Sequence, residues 1–479
     1  MRARTGQDLA GQDARGTNAD SGSATRREPI PAALRPYQTA TDDLLAAGRQ
    51  ALIGGGVARE TAFIVDHGTG AVVTDTEGRQ YIDCTSQAWS LGIGYSHPRV
   101  VSAVAAQVGR YTHIRTGFET IPKLLLAARL AAMAPGDLKR VAFTLSGSDA
   151  IEGAMKLAIR NRDGAATFLS LWNGYHGRTF ATMALSWPHP ENVFGRWMGP
   201  VVRVPAPYVY RNPFGEGMTA QECVDACVGY TRQAILNAVD PPIVGLMMEP
   251  FQGNGGMVEF PASYHRKIRD LCDEFGLLLI WDEIQTAFGR MGEWFAADLY
   301  GVAPDIMVVG KGLGGGFPIS AILVSERLKG FKPGDHSFTH AHFPPSMVAA
   351  LATIDVMEDE GLIERSREMG RYFTTRLGVM QERHPLIGDI RGPGLMIGVE
   401  LVRDRVTKEP ARSEASWVVN EGMRRGVIFG EAKYLGLGNV VKIKPPFVIT
   451  EAEADRVLAV LDELLFELET KGLPSGIVR

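Results

Sequence analysis

The chain predicts an α/β protein: a large part built on a mainly parallel sheet, completed by a smaller α+β part. Three features predict this. Between Ser86 and Phe343, short apolar runs bounded by Gly and Pro alternate with amphipathic stretches of helical spacing, the mark of strands buried between helices. After Pro344 the texture changes to two long helical stretches followed by shorter runs. The length of 479 residues exceeds what one small core holds, so more than one packed region is expected.

In chain order, residues 1–35 are rich in Gly, Ala, Arg, Thr and Asp and have no hydrophobic periodicity, which predicts a disordered tail. The tail lacks the apolar core of a signal peptide, and Asp8, Asp13 and Asp20 count against a transit peptide. Residues 36–85 read as an N-terminal segment of the smaller domain, with a hairpin in which 71–75 and 80–83 flank Glu77 and Gly78. Residues 86–343 read as the large domain, with strands at 141–145, 167–171, 244–248, 277–281, 306–309 and 321–324 and a helix at 149–160. Residues 344–479 read as the smaller domain. Its helices are expected at 347–360 and 363–383, its strands at 395–401, 427–429 and 440–443, and a closing helix at 451–469.

Composition narrows the function. Hydrophobic residues make up 45% and charged residues 22%, ordinary for a globular enzyme. A net charge of -4 without a basic stripe excludes nucleic acid and anionic membrane surfaces as expected partners. No apolar run reaches the ~18 residues of a membrane span. Cys84, Cys223, Cys227 and Cys272 are too scattered for a disulfide framework. Cys223 and Cys227 have helical spacing but no second Cys/His pair for zinc, and His336, His340 and His342 have no fourth ligand. No metal is expected, and the thiols read as reduced in a cytoplasmic protein.

Lys311 is the residue on which function turns. The apolar run 306–309 leads directly into Gly310, Lys311 and a glycine-rich turn. An amine at a buried strand end is partly desolvated, which lowers its proton affinity and frees it to attack a carbonyl. The run 277–281 ends in Asp282 and Glu283. Adjacent strands that deliver a carboxylate and an amine to one sheet edge suit pyridoxal phosphate (PLP), which needs a Schiff-base lysine and an acid beside its ring nitrogen. Upstream, the turn Ser146-Gly147-Ser148 opens a helix and offers N–H groups to a phosphate. Trp172 to Thr179 supplies a loop aromatic, and Glu249-Pro250 follows another strand. Alone, each of these is commonplace: a capped helix, a buried aromatic, a structural ion pair. Together they fall in order at the C-terminal ends of strands, where open α/β sheets bind ligands.

With these motifs the chain resembles the class III PLP-dependent aminotransferases, the ornithine, 4-aminobutyrate and ω-amino-acid group, from about Arg59 to Leu465. The residues that carry the likeness are Ser146-Gly147-Ser148-Asp149-Ala150, Tyr175-His176-Gly177-Arg178-Thr179, Glu249-Pro250, Asp282-Glu283-Ile284-Gln285-Thr286, Lys311 to Pro318 and Arg391-Gly392-Pro393-Gly394-Leu395. The resemblance implies fold type I of the PLP-dependent transferases. It implies that Gly147 and Ser148 hold the phosphate, that Tyr175 and Ile284 cover the two ring faces, and that Asp282 pairs with the ring nitrogen. Gln285 is implied to bond the ring hydroxyl, with His176 and Glu249 beside the cofactor. Lys311 becomes the Schiff-base lysine and proton carrier, with Asp282 and Tyr175 assisting. Thr339, five residues ahead of Pro344, is implied to reach the phosphate of a neighbouring subunit, hence a homodimer or a dimer of dimers.

Two positions depart from the family pattern. Asn254 stands where ornithine- and 4-aminobutyrate-type members carry a gating glutamate. Lys442 stands where many members grip the substrate carboxylate with an arginine, and a point charge is not a bidentate fork. Arg211 and the run Thr407 to Ala411 are similar to dialkylglycine decarboxylase, with Gln87 or Ala88 at the place of its active-site glutamine. The run His384 to Gly392 is similar to amino-lactam racemases and isoleucine epimerases. Aminotransfer is therefore the expected activity, with racemisation or epimerisation and decarboxylation or phospho-elimination as alternatives on the same fold. Trp89, Trp172, Tyr175, Phe343 and Lys442 are candidates for the substrate pocket.

Overall fold

A computed structural model of the chain describes residues 31–53, 63–187, 194, 199–237, 242–431 and 438–474. Most of the expected tail, 1–30, lies outside the described residues. Residues 31–53 belong to a separate N-terminal unit and carry two short helices, Arg35–Gln38 and Asp42–Ala51. Thr41 caps the second by accepting from the Leu44 N–H.

From Phe63 onward the chain forms a second compact unit. Its strands are β1 (Val65–Thr69), β2 (Val72–Asp75), β3 (Gln80–Asp83), β4 (Arg140–Thr144), β5 (Thr167–Leu171), β6 (Val201–Val204), β7 (Ile243–Met248), β8 (Leu278–Asp282), β9 (Ile306–Val309), β10 (Ser320–Val324), β11 (Ile387–Arg391), β12 (Ile397–Leu401), β13 (Val427–Ile428), β14 (Gly430–Glu431) and β15 (Val440–Ile443). The central sheet has the order β4-β10-β9-β8-β7-β5-β6. Neighbours from β9 to β6 are parallel, and β10 alone runs against both β9 and β4. The ends of β4, β5, β7, β8 and β9 therefore emerge on one edge.

Strands β5, β7, β8, β9 and β10 are buried at every residue, which is why they read as nearly unbroken apolar runs. Side chains along them alternate between two cores. Leu279, Trp281, Met307 and Val309 join the larger cluster, whereas Leu278, Ile280, Ile306 and Val308 pack with Ala150, Ile151, Ala154 and Leu157 of the helix Gly147–Arg160. By the same alternation Asp282 points to the face on which that helix begins.

Two smaller sheets complete the unit. One has the order β1-β2-β3-β13, with β13 parallel to β3 through Val427↔Ile82 and Ile428↔Asp83. The other is antiparallel, β11-β12-β15-β14. The helices Pro344–Asp359 and Leu362–Arg383 fall where helical spacing predicts them. The last helix, Glu451–Lys471, starts at a capping box of Thr450 and Glu453. Strands β1, β6 and β11 are not anticipated from sequence. Each is short and at least half of its positions are not buried, so its apolar signal is weak.

Candidate active site

A cavity of about 410 Å³ opens at the shared strand edge, lined by Ser146, Gly147, Ser148, Tyr175, His176, Asp282, Ile284, Gln285 and Lys311 among others. Such a volume suits a small cofactor with its substrate. Lys311 follows β9 with φ +41, in the left-handed region, and starts a short 3₁₀ turn that Gly315 ends at φ +55. Burial lowers its pKa to about 8, opposed by the charges of Asp282 and Glu249. A neutral amine is thus available close to neutral pH.

Asp282, 4% exposed at the end of β8, is held from two sides. His176 Nδ1 lies 2.9 Å from its Oδ2, and the Ile284 N–H donates to its Oδ1 at 3.2 Å. Glu249 accepts from the N–H groups of Tyr175 (2.9 Å) and Gly253 (3.3 Å), so it fixes the aromatic loop from behind and does not line the cavity. Burial raises its pKa to about 7, an effect His176 opposes and Asp282 reinforces.

The anion end is built by the helix Gly147–Arg160. Ser146 caps it by accepting from the Asp149 N–H (3.2 Å), which leaves the N–H groups of Gly147 and Ser148 at the positive end of the dipole. Ser148 Oγ accepts from the Arg178 N–H at 3.1 Å and keeps its own proton to donate. The walls leave little slack. A Cβ on Gly147 would come within 2.7 Å of Ile284 Cδ1, and one on Gly177 (φ +128) within 2.3 Å of Ser148 Oγ.

These residues fit PLP. The donors gathered at Gly147 and Ser148 suit a phosphate, and Asp282 suits a protonated ring nitrogen. Gln285 Oε1 is buried without a hydrogen-bond partner among the described residues, an acceptor that a ring hydroxyl can satisfy.

The structure brings nine of the sequence-derived candidates to or against this cavity: Gly147, Ser148, Tyr175, His176, Glu249, Asp282, Ile284, Gln285 and Lys311. Thr339 is exposed and stands apart from the cavity of its own chain. Trp89 and Lys442 pack beside it. Their side chains meet Lys311 as a cluster, with the Nζ atoms of Lys311 and Lys442 at 5.1 and 5.3 Å from the Trp89 ring centroid. Lys442 is 3% exposed, and burial lowers its pKa to about 7, with Glu249 opposing and Lys311 adding to the effect.

Other candidates do different work. Trp172 packs with Trp187 and Tyr230 at 5.9 and 6.2 Å between centroids, outside the cavity lining. Arg211 pairs with buried Glu400, which also takes Arg391 and Tyr208. Gln87 is exposed and bonds Tyr95 Oη at 2.6 Å. Among the described residues no three His, Cys, Asp or Glu side chains gather to hold a metal. Ser90, Ile319 and Ser320 line the cavity unannounced by sequence, because none carries a charge and none falls in a quoted motif.

Known proteins agree with this geometry. The family model "Aminotransferase class-III" matches residues 56–465. A leucine/methionine racemase of Thermococcus litoralis is 39% identical over 83% of this chain and 89% of its own. An acetylornithine aminotransferase of Methanothermobacter thermautotrophicus is 36% identical over 85% and 94%. Among solved structures, a PLP-bound amine transaminase from an uncultivated Pseudomonas species superposes with a TM-score of 0.81 at 29% identity, covering 87% of this chain and 98% of that one. With the lysine, the carboxylate and the phosphate turn on one sheet edge, the chain belongs to the class III aminotransferases, enzymes that work with pyridoxal phosphate.

Proposed function

We propose that the protein moves an amino group between an amine or amino acid and a keto acid or aldehyde, with Lys311 as the cofactor-holding amine and proton carrier. The observation that carries this reading is the placement of Lys311 just past β9 and Asp282 at the end of the neighbouring parallel strand β8, both lining one cavity. An amine with a pKa of about 8 both accepts and returns a proton near neutrality. Bound PLP supplies the electron sink that acidifies the Cα proton of an attached amino compound. Asp282 holds negative charge for the ring nitrogen, and its bond to His176 keeps it from turning away. Gly147 and Ser148 hold the phosphate, Tyr175 and Ile284 confine the ring faces, and Gln285 takes the ring hydroxyl. Glu249 keeps Tyr175 in position.

Trp89 and Lys442 are assigned to the substrate, Lys442 as the point charge that meets an anionic group. Thr339 is assigned to the phosphate of a second copy, which makes the working unit a homodimer; its exposure outside its own cavity supports this. Residues 86–343 are taken as the cofactor domain, and 36–85 with 344–479 as the smaller one; the β3–β13 pairing supports this for 63–85, whereas 31–53 belong to the separate N-terminal unit. Four buried free cysteines support a cytoplasmic setting. No described helix is long and apolar enough to cross a membrane.

Racemisation is the second reading, and Lys442 favours it. A buried amine with a pKa of about 7, near Lys311 and without a hydrogen-bond partner among the described residues, is a second proton carrier in reserve. The racemase relative at 39% identity points the same way. Lys311→Ala is expected to lose both the yellow colour of the holoenzyme and turnover, and a variant that keeps both overturns the proposal. Incubation with D- and L-amino acids in deuterium oxide separates the two readings. Keto acid product means aminotransfer, whereas deuterium at Cα without keto acid means racemisation.

A further inference from the structure

Ser86, Gln87, Ala88 and Trp89 have φ values of +45, +44, +59 and +69, four successive non-glycine residues in the left-handed region. Each crowds its Cβ against the following carbonyl, so such a run persists only where its surroundings impose it. The turn delivers Trp89, 8% exposed, to the side of Lys311. One distant residue holds it at several points. The Lys444 N–H donates to Cys84 O (3.0 Å), and the Lys444 carbonyl accepts from Ser86 Oγ (2.8 Å). Lys444 Nζ donates to Thr85 O (2.6 Å), the carbonyl that also accepts from the Trp89 N–H, and lies 3.8 Å from the Trp89 ring centroid. Arg290 braces the same point through Ser86 Oγ (3.0 Å) and Pro445 O (2.7 Å).

Lys444 is 3% exposed and, among the described residues, reaches no carboxylate within hydrogen-bond distance, so an apolar chain of equal length would pack there at lower electrostatic cost. Burial, with Lys442 adding and Asp83 opposing, pushes its proton affinity well below that of an ordinary lysine. A costly group kept in one place, on a strained turn beside the reacting amine, needs a reason.

We propose that Lys444 is a positioning residue: its ammonium clamps the Thr85 carbonyl and the Trp89 indole together, locks the left-handed turn, and so keeps Trp89 as the wall beside Lys311. The role depends on Lys311 being the reacting amine. Lys444 itself is not among the residues that line the cavity. Its effect runs through Trp89, and that makes it separable from general stability.

The test uses holoenzyme of four variants, Lys444→Met, Lys444→Arg, Trp89→Phe and the double Trp89→Phe/Lys444→Met, with Lys311→Ala as the control for the cofactor assignment. Lys444→Met is expected to load cofactor fully and stay yellow, to lose roughly tenfold or more in kcat/KM, and to speed hydrogen exchange at the amides of 86–90. The double variant is expected to fall no further than Trp89→Phe, within about twofold, because the lysine acts only through the ring. Lys444→Arg, which keeps a cation at the turn, is expected to keep exchange slow and recover most of kcat/KM; it also carries the test should Lys444→Met not fold. Unchanged kcat/KM in Lys444→Met, losses that multiply in the double variant, or an arginine variant as impaired as the methionine one overturn the proposal. A colourless Lys444→Met, or a Lys311→Ala that stays yellow, does so as well, the latter by removing the reading beneath it.

Discussion

The two ends of the active site are built on opposite electrostatic principles. At the cofactor end every buried acid has its partners. Asp282 has His176 and the Ile284 N–H, Glu249 has two loop N–H groups, and Glu283 has Thr286 and the N–H groups of Ala296 and Ala297. At the other end three lysines, 311, 442 and 444, converge on the face of one tryptophan, whose own Nε1 has no partner among the described residues. Lys442 feels Glu249 and Glu431 but hydrogen-bonds neither. A satisfied network is rigid and fixes a permanent guest. An unsatisfied one leaves charge in store for a transient guest that brings its own.

The largest way to break this contrast is to empty the overcharged end. Lys442 has a folded pKa of about 7 against an ordinary 10.5, so the unfolded chain binds more protons between these values. Stability therefore rises with pH across that window, and the penalty for burying Lys442 is complete below pH 7 and gone above about 10.5. Its size is on the order of 3–5 kcal/mol. Lys442→Met is expected to be more stable than the parent at pH 6 by that order, with the gap closing toward pH 10, while KM rises for substrates with an anionic group. Denaturant melts at both pH values check it. An equal gap at both would mean that Lys442 is already neutral or already paired.

The next largest test strips the satisfied end. Asp282→Asn keeps the shape and the contact to His176 but removes the charge. Loss of one aimed electrostatic group costs on the order of 10²–10³ in turnover. The holoenzyme should stay yellow, because Lys311 and the phosphate turn are untouched. A fall below tenfold would show that the carboxylate serves packing and not the ring nitrogen.

The same division explains what the sequence discloses. The cofactor end is legible because its parts are local: a Gly turn before a helix, an acid and an amine at the tips of unbroken apolar runs. Four of the parallel strands, β5, β7, β8 and β9, follow from the same runs, and β6 does not. The other end depends on meetings between remote stretches. Thr85 and Lys444 touch across 359 positions, and β3 pairs with β13 from the far end of the chain. Nor does the left-handed turn announce itself, since Ser-Gln-Ala-Trp contains none of the Gly or Asn that usually mark positive φ. Trp172 misleads for a related reason. An aromatic at a strand end is equally suited to a cofactor or to Trp187 and Tyr230, and only packing chooses.

The smallest expected effect probes whether the satisfied end is as redundant as its bonding suggests. Ser148 Oγ accepts one hydrogen bond, from the Arg178 N–H, and would offer one proton to the proposed phosphate beside the Gly147 and Ser148 amides and the helix dipole. Ser148→Ala removes a neutral hydroxyl and leaves those amides in place. A hydrogen bond to a charged group is worth about 1.5–3 kcal/mol, so cofactor affinity should fall by about tenfold and by no more than about a hundredfold. Arg178 is exposed, so water takes over at its N–H and folding stability should hardly change. Turnover at saturating cofactor should match the parent, because the proposed role of the hydroxyl is at the phosphate and not at the reacting carbon. Titration of apoenzyme with cofactor measures the first, and rates at saturation the second. A loss of affinity beyond about a hundredfold would mean that the helix terminus contributes little on its own. The contrast between the two ends would then narrow to one hydroxyl against one ammonium.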